Sequence, residues 1–130
     1  MVRILTRRWL VLAWLTVALV GCARGNTAPG AIRGYLEALV AGDAVRAINL
    51  SCAEWEEQAR TEAASFEAVD VSLQDVACAE AGTAGPYALV TCRGRILAIY
   101  GGEQQELSLE GRTYRAVQES GDWKMCGYEQ

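Results

Sequence analysis

The hydrophobic periodicity of this chain changes once, near residue 68, and that change constrains the fold more than any other feature. Between residues 29 and 66 apolar side chains recur every three or four positions, as in amphipathic helices. From residue 69 to residue 128 apolar and polar side chains alternate, as in strands. With 130 residues the chain has room for one domain. Helices followed by strands predict an α+β domain with the helices on one face of an antiparallel sheet.

Three helices are predicted in the first half, over 29–41, over 44–50, and from Ser51 to about Phe66. Gly42 can end the first helix, and Asp43 can cap the second with its side chain. Ser51 and Glu54 have the spacing of a capping box, which predicts the start of the third helix.

Four strands are predicted in the second half, joined as an antiparallel meander. They are a strand from residue 69 to a turn region AEAGTAGP (79–86), Tyr87–Tyr100, 105–118 with a bulge at Gly111, and Trp123–Tyr128. Gly101-Gly102 separates the second strand from the third, and Ser120-Gly121 predicts a tight hairpin turn before the last strand.

Residues 1–21 are predicted to be a signal peptide. Three arginines precede the twelve-residue apolar run WLVLAWLTVALV, and Gly21-Cys22 follows it. As a helix this run reaches about 18 Å, whereas a bilayer's hydrocarbon core is about 30 Å thick. A permanent transmembrane helix is therefore the less favoured alternative.

The end of this run, Leu19-Val20-Gly21-Cys22, resembles a bacterial lipobox. The resemblance implies that the Cys22 thiol carries diacylglycerol and that residues 22–28 form a lipidated tether to a single domain over 29–130. It also implies an exported protein, anchored to a bacterial membrane with its domain outside the cytoplasm. The alternative is an ordinary secreted protein in which Cys22 has no such role.

Composition excludes several classes of function. The chain contains no His, which rules out Ser-His-Asp and Cys-His catalytic arrangements and His metal ligands. Residues 22–130 carry 9 basic and 16 acidic side chains, a net charge of −7, which opposes binding to nucleic acid. The cysteine spacing matches no zinc pattern, and no motif indicates a cofactor.

Four cysteines follow Cys22, and an exported domain forms disulfides from them by default. They allow three connectivities. Cys78 and Cys92 flank the predicted turn region, so an antiparallel hairpin would place them opposite each other. Cys52, at the end of the second helix, and Cys126, in the last strand, can meet where helices pack on the sheet.

Two segments, YLEALVAGDAVRAINLSC (35–52) and VQESGDWKMCGY (117–128), resemble the nuclear-transport-factor-two-like, or cystatin-like, cone superfamily. The resemblance implies three helices packed on a curved, cone-like four-stranded antiparallel sheet, and it too suggests the Cys52–Cys126 pair. The superfamily contains ketosteroid-isomerase-like enzymes, polyketide cyclases and non-catalytic binding or assembly modules. The resemblance therefore implies one of two classes of function, an enzyme or a non-catalytic binding or assembly module.

An isomerase-like enzyme would need an acid or base deep in the cone and a donor for the oxyanion. The candidate donors are Tyr35, Tyr87, Tyr100 and Tyr114, and the candidate bases are Asp43, Asp70 and Asp75. A core, helix-cap or solvated position explains each of them, and no isomerase motif maps onto the chain. No catalytic, cofactor or metal residue is assigned. The arginines of the second and third strands are expected to pair with nearby glutamates rather than bind an anion; they are Arg93, Arg95, Arg112 and Arg115.

The second strand is apolar on both faces, although helices can cover only one. Leu97 and Ile99 lie on the face opposite the main core positions, and Trp123 and Met125 have the opposite parity to Cys126. If Cys126 faces the helices, these four side chains form an exposed apolar face that predicts a homodimer or a protein partner in the cell envelope. The predicted function is a non-catalytic binding or interaction module for a partner or a small apolar ligand. The alternative is an isomerase-like or cyclase-like enzyme that uses the cone pocket.

Overall fold

The computed structural model describes residues 26–130, which form an α+β domain with helices packed on a curved antiparallel sheet. The helices are α1 (Ala28–Val40), α2 (Ala44–Asn49), a 3-10 turn (Ala53–Trp55) and α3 (Glu56–Ala64). The strands are β1 (Asp70–Ala84), β2 (Tyr87–Tyr100), β3 (Glu103–Ser108), β4 (Thr113–Glu119) and β5 (Asp122–Tyr128). The predicted signal peptide, 1–21, and Cys22 lie outside the described residues.

The first two helices begin at side-chain caps. Thr27 Oγ1 accepts a hydrogen bond from the Gly30 N–H at 3.0 Å, and Asp43 Oδ1 accepts one from the Arg46 N–H at 3.0 Å. The predicted cap at Asp43 is therefore confirmed. The predicted tether extends too far, because Asn26–Ala28 belong to the domain: Thr27 caps α1 and Ala28 is buried.

The predicted capping box at Ser51 is wrong. The Ser51 hydroxyl donates instead to the Ala47 carbonyl at 2.7 Å, and the backbone of Ser51 forms a parallel bridge with Met125. The chain after α2 is therefore held as a short extended segment along β5, and the third helix begins later, through the 3-10 turn.

Among the described residues the sheet has five strands, ordered β1-β2-β4-β5, with β3 also paired to β2. The predicted third strand, 105–118, is two strands because β2 is long enough to pair with both. The early part of β2 pairs with β4, and the late part of β2 pairs with β3. Between them the chain leaves the sheet, with Leu109 buried and Gly111 at a φ of 85°, a conformation that favours glycine.

The predicted turn region 79–86 is also wrong in extent. β1 continues to Ala84, and only Gly85-Pro86 separates it from β2. The segment's small residues suggested a loop, but their backbone pairs with the start of β2. A bulge in β1 at Asp75 faces Gly94, where a Cβ would lie 2.7 Å from the Asp75 carbonyl oxygen. Such a bulge bends and twists the strand pair, which contributes to the curvature of the sheet.

The core lies between α1 and the concave face of the sheet. The largest fully buried side chains of the core are Tyr35, Tyr114, Ile32, Met125, Val90, Cys52 and Cys92. Val90 and Cys92 belong to β2 and lie on the same face of that strand as Ile96 and Ala98, as the alternation of side chains along a strand predicts.

Two disulfides join Cys52 to Cys126 and Cys78 to Cys92, the two pairs expected from the sequence. Cys78 and Cys92 are directly opposite in the β1–β2 ladder, with Cα atoms 4.0 Å apart. The Cys52–Cys126 bond lies at the edge of the sheet, because the Cys52 N–H donates to the Met125 carbonyl oxygen at 2.8 Å. Disulfides of this kind are typical of proteins that fold in an oxidising compartment.

The predicted interface needs correction at two of its four residues. Met125 is 0% exposed and packs in the core, and Trp123, on the same face of β5, is partly buried against it. The assumption that Cys126 faces the helices was wrong. Cys126 lies on the outer face of the sheet, and the segment that carries Cys52 passes around the sheet edge to meet it. Leu97 and Ile99 do lie on the outer face, where Ile99 is 44% exposed, so partner contact through them stays a prediction.

Candidate functional site

A carboxylate and three aromatic side chains meet between α1, α3 and the end of β5. The Tyr35 hydroxyl donates to Glu62 Oε2 at 2.8 Å, and the Tyr128 hydroxyl donates to the same atom at 3.1 Å. Trp55 Nε1 donates to the Tyr35 hydroxyl at 3.2 Å, and its ring meets that of Tyr128 edge to face. We call these four residues the Glu62 cluster. Because each phenol has one proton to donate, both are committed to Glu62.

Burial tunes the acidity of both phenols in the Glu62 cluster. Desolvation, followed by the negative charge of Glu62, raises the pKa of Tyr35 well above its ordinary value. The same two causes raise the pKa of Tyr128. Both groups are therefore neutral hydrogen-bond donors at any physiological pH, and they fix the position of the Glu62 carboxylate.

A cavity of about 340 Å³ adjoins the Glu62 cluster, within the range of small-molecule sites. Its apolar wall is formed by Leu36, Leu39, Phe66, Ile96, Leu107 and Leu109. Its polar groups come from Glu62, Ser65, Ser108, Arg112, Tyr114 and Tyr128. The cavity therefore combines an apolar body with a few polar groups, as ligand sites commonly do.

Tyr114 is the polar group of this cavity that lacks a partner. Its side chain is 0% exposed, and its hydroxyl makes no hydrogen bond with any residue of 26–130. Desolvation raises the pKa of Tyr114, although the nearby Arg112 charge acts in the opposite direction. A buried hydroxyl without a partner is costly, so a ligand that penetrated the cavity wall far enough to reach this hydroxyl would relieve that cost.

Only some of the predicted candidates reach this site. Tyr35 and Tyr114 do, whereas Tyr100 is exposed and Tyr87 lies on the outer face with the Arg115 guanidinium 4.8 Å from its ring centre. None of the candidate bases lines the cavity. Their positions are the cap of α2 for Asp43, the exposed start of β1 for Asp70 and the exposed bulge of β1 for Asp75.

Of the four strand arginines, Arg95 is the one that forms an ion pair within residues 26–130: it pairs with Glu106 at 3.2 Å and with Asp75 at 3.3 Å. The pairing expected of Arg93, Arg112 and Arg115 is not seen among these residues. Arg112 lies instead over the Tyr128 ring, 5.3 Å from its centre, a cation–π contact beside the cavity. A wider and more open groove of about 670 Å³ surrounds Arg95 on the outer face, but the charge of Arg95 is already offset there by its pairs with Asp75 and Glu106.

Sequence reasoning missed Glu62, Tyr128 and Trp55. The signal for Glu62 was present, because this acid falls within the apolar stripe of the third helix, seven residues after Trp55 and four before Phe66. A charged side chain on a buried helix face needs a buried partner. Tyr128 carried no such signal, since it ends a strand whose facing was misjudged.

Within residues 26–130 no group of three His, Cys, Asp or Glu side chains is placed to hold a metal ion. None of the helices in that range has both the length and the apolar character needed to cross a membrane.

No protein-family model matches this chain, and no curated protein matches it. Among solved structures it is similar to a designed nuclear-transport-factor-two fold titled Rd1NTF2_05, carrying five substitutions. That likeness has a TM-score of 0.46 at 12% identity, and it covers 75% of this chain and 92% of the other. A likeness of this size carries no argument about function, so the function proposed below depends on the side chains of this chain.

Proposed function

We propose that this chain is an exported, lipid-anchored binding module that takes a small apolar ligand into the cavity beside Tyr114. The observation that carries this proposal is the buried Tyr114 hydroxyl, which has no partner among the described residues and belongs to a side chain that borders a cavity with one apolar wall. A ligand with an acceptor oxygen would satisfy this hydroxyl, while its apolar body would contact the leucine and isoleucine side chains of the wall.

The rest of the cavity is organised before any ligand arrives. Glu62 is held by two phenols, and the Arg112 guanidinium is held over the Tyr128 ring. One negative and one positive group then border the cavity, which favours a neutral ligand over an ion of either sign. Preformed walls lower the ordering cost of binding.

Tyr114→Phe tests the proposal with prodan, an apolar fluorophore that has one ketone oxygen. We expect the wild-type domain to bind prodan with a blue-shifted emission, and Tyr114→Phe to bind it about tenfold more weakly, equivalent to one lost hydrogen bond of about 1.4 kcal/mol. Tyr87→Phe, which changes a tyrosine outside the cavity, is the matched control and should bind like wild type. Equal affinity of all three proteins, or no binding by wild type, would contradict the proposal.

An isomerase-like or cyclase-like enzyme is the second candidate, favoured by one observation: the Glu62 carboxylate borders the same cavity. Hydrogen bonds from Tyr35 and Tyr128 already occupy part of the acceptor capacity of that carboxylate. The propionyl group of prodan separates the two functions. If Glu62 acts as a base, it would exchange the α-hydrogens of the prodan propionyl group for deuterium in D₂O, and Glu62→Gln would abolish that exchange. A binding module returns prodan unlabelled, as mass spectrometry would show.

The lipid anchor is supported by the lipobox at Cys22 and by the two disulfides of the domain. When the full chain is expressed in a bacterium, we expect it to enter the detergent phase on partitioning and Cys22→Ser to remain in the aqueous phase. Ala23→Ser, at the next position, is the control and should partition like wild type. Recovery of the wild-type protein in the aqueous phase would show that Cys22 carries no anchor.

A further inference from the structure

The point at which the chain enters the domain is fixed by a pair of hydrogen bonds. Asn26 Nδ2 donates to the Trp123 carbonyl oxygen at 2.8 Å, and the Trp123 N–H donates to Asn26 Oδ1 at 2.8 Å. Asn26 therefore lies at the start of β5. Only four residue steps separate its Cα atom from that of Cys22, a reach of about 14 Å at full extension.

The cavity lies at the other end of the elements that begin at this point. Tyr128, on the cavity wall, lies about 14 Å from Trp123 along β5, because a bulge shortens this part of the strand: their partners on β4, Tyr114 and Gln118, are four residues apart. Leu39, also on the wall, is near the C-terminal end of α1, about 16 Å from its first residue. Both α1 and β5 therefore run from the entry point toward the cavity.

We infer that the end of the domain formed by Asn26, Trp123 and the Ser120-Gly121 turn faces the lipid headgroups of the anchoring membrane, and that the cavity opens toward the aqueous side. This inference rests on the proposed lipidation of Cys22. Even at full extension the tether reaches no farther than the cavity wall, so the domain can invert only with the tether fully stretched along it. The half-buried Trp123 also suits a headgroup layer, where tryptophan rings are enriched.

Exposed acids lie at both ends of the domain. Asp70, Glu103, Glu106 and Glu110 are remote from the entry point, and Asp122 directly follows the Ser120-Gly121 turn. Charge therefore does not select one end for an anionic leaflet, and the length of the tether carries the inference. With the cavity end held away from the bilayer, the ligand reaches it from water, which points to a small water-borne molecule rather than a membrane lipid.

The chain's own tryptophans can measure this orientation, because Trp55 and Trp123 are its two tryptophans after residue 22. Trp55 contacts Tyr128 at the cavity end. The lipidated protein is placed in vesicles that contain a lipid with a nitroxide on its headgroup. In the Trp55→Phe variant the tryptophan fluorescence comes from Trp123 alone, and in the Trp123→Phe variant it comes from Trp55 alone. We expect the nitroxide to quench Trp123 at least twofold more strongly than Trp55, after correction for quenching by acrylamide without vesicles.

Equal quenching of the two tryptophans, or stronger quenching of Trp55, in protein that floats with the vesicles would overturn the orientation and leave the anchor intact. Protein that does not float would overturn the anchor, and the orientation with it. A further variant guards against folding defects in the tryptophan substitutions. Inserting about ten Gly and Ser residues after Arg24 of Trp55→Phe should lower the quenching of Trp123, and unchanged quenching would show that tether length does not hold this end at the membrane.

Discussion

Removing the Cys52–Cys126 disulfide is expected to lower the free energy of unfolding by about 4–5 kcal/mol, more than removal of the other bond. This disulfide joins residues 74 apart in sequence, so it restricts a long loop of the unfolded chain. The Cys78–Cys92 bond joins residues 14 apart, for which the same chain-entropy argument gives about 3 kcal/mol. Small domains are stable by only about 5–15 kcal/mol, so either loss is a large fraction of the total.

Two double variants make the comparison without leaving a free thiol. Cys52→Ala with Cys126→Ala and Cys78→Ala with Cys92→Ala are unfolded in urea beside wild type. Equal losses, or a larger loss for the second, would contradict the expected order. The single variant Cys126→Ser should leave Cys52 as a free thiol. Peptide mapping of the non-reduced wild type shows directly which cysteines are linked. A disulfide from Cys52 to Cys78 or to Cys92 as the main species would contradict the fold.

The long-loop disulfide also fastens the segment after α2 to the sheet. The Met125 N–H donates to the Leu50 carbonyl oxygen at 2.8 Å, and the Cys52 N–H donates to the Met125 carbonyl oxygen at 2.8 Å. Without the covalent bond the segment is held by these two hydrogen bonds, by one from Lys124 Nζ to the Asn49 carbonyl oxygen and by one from the Ala53 N–H to Glu119 Oε2. We therefore expect hydrogen exchange at Cys52 to accelerate in the first double variant more than exchange within α1.

Local signals account for the parts of the fold that sequence reasoning predicted. Asp43 caps α2 through a contact three residues away, and the β4–β5 hairpin turns at Ser120-Gly121, so both depend on neighbours in sequence. The parts that differ depend on distant pairing. Ser51 could not act as a cap because Met125 holds its backbone, and β2 separates β3 from β4 by pairing with each in turn.

The candidate site illustrates the same division. The helical periodicity alone placed Tyr35 on the apolar face of α1, where it is fully buried. Its hydrogen-bond partner, Glu62, comes from a helix that starts later than predicted, and Tyr128 comes from a strand whose inward face was assigned the wrong way. A site assembled from three elements requires the facing of all three, and periodicity supplies that facing only where no bulge or edge pairing shifts it.

Replacing Glu62 by Leu is expected to destabilise the domain by about 2–4 kcal/mol, because the Tyr35 and Tyr128 hydroxyls lose a charged acceptor while still buried. Glu57→Leu is the matched control, since Glu57 is on the same helix with its side chain 84% exposed and, within residues 26–130, paired with the exposed Arg60. That variant should change stability by less than about 0.5 kcal/mol. A double-mutant cycle of Glu62→Leu with Tyr35→Phe should show coupling of about 1–2 kcal/mol. Additive losses would show that the hydrogen bond contributes nothing specific.

The same hydrogen bond predicts how stability changes at high pH. Burial and the Glu62 charge raise the pKa of Tyr35 in the folded state, whereas the unfolded chain has a tyrosine pKa of about 10. The folded state therefore keeps a proton that the unfolded state loses, so the contribution is complete below pH 10 and declines as pH rises above it. At pH 11 the loss from Tyr35 is about 1.4 kcal/mol, and Tyr128 acts in the same direction. Tyr35→Phe removes the first of these losses, so urea unfolding should give it a shallower decline than wild type between pH 9 and pH 11. Parallel declines would mean that Tyr35 ionises as readily in the folded domain as in the unfolded chain.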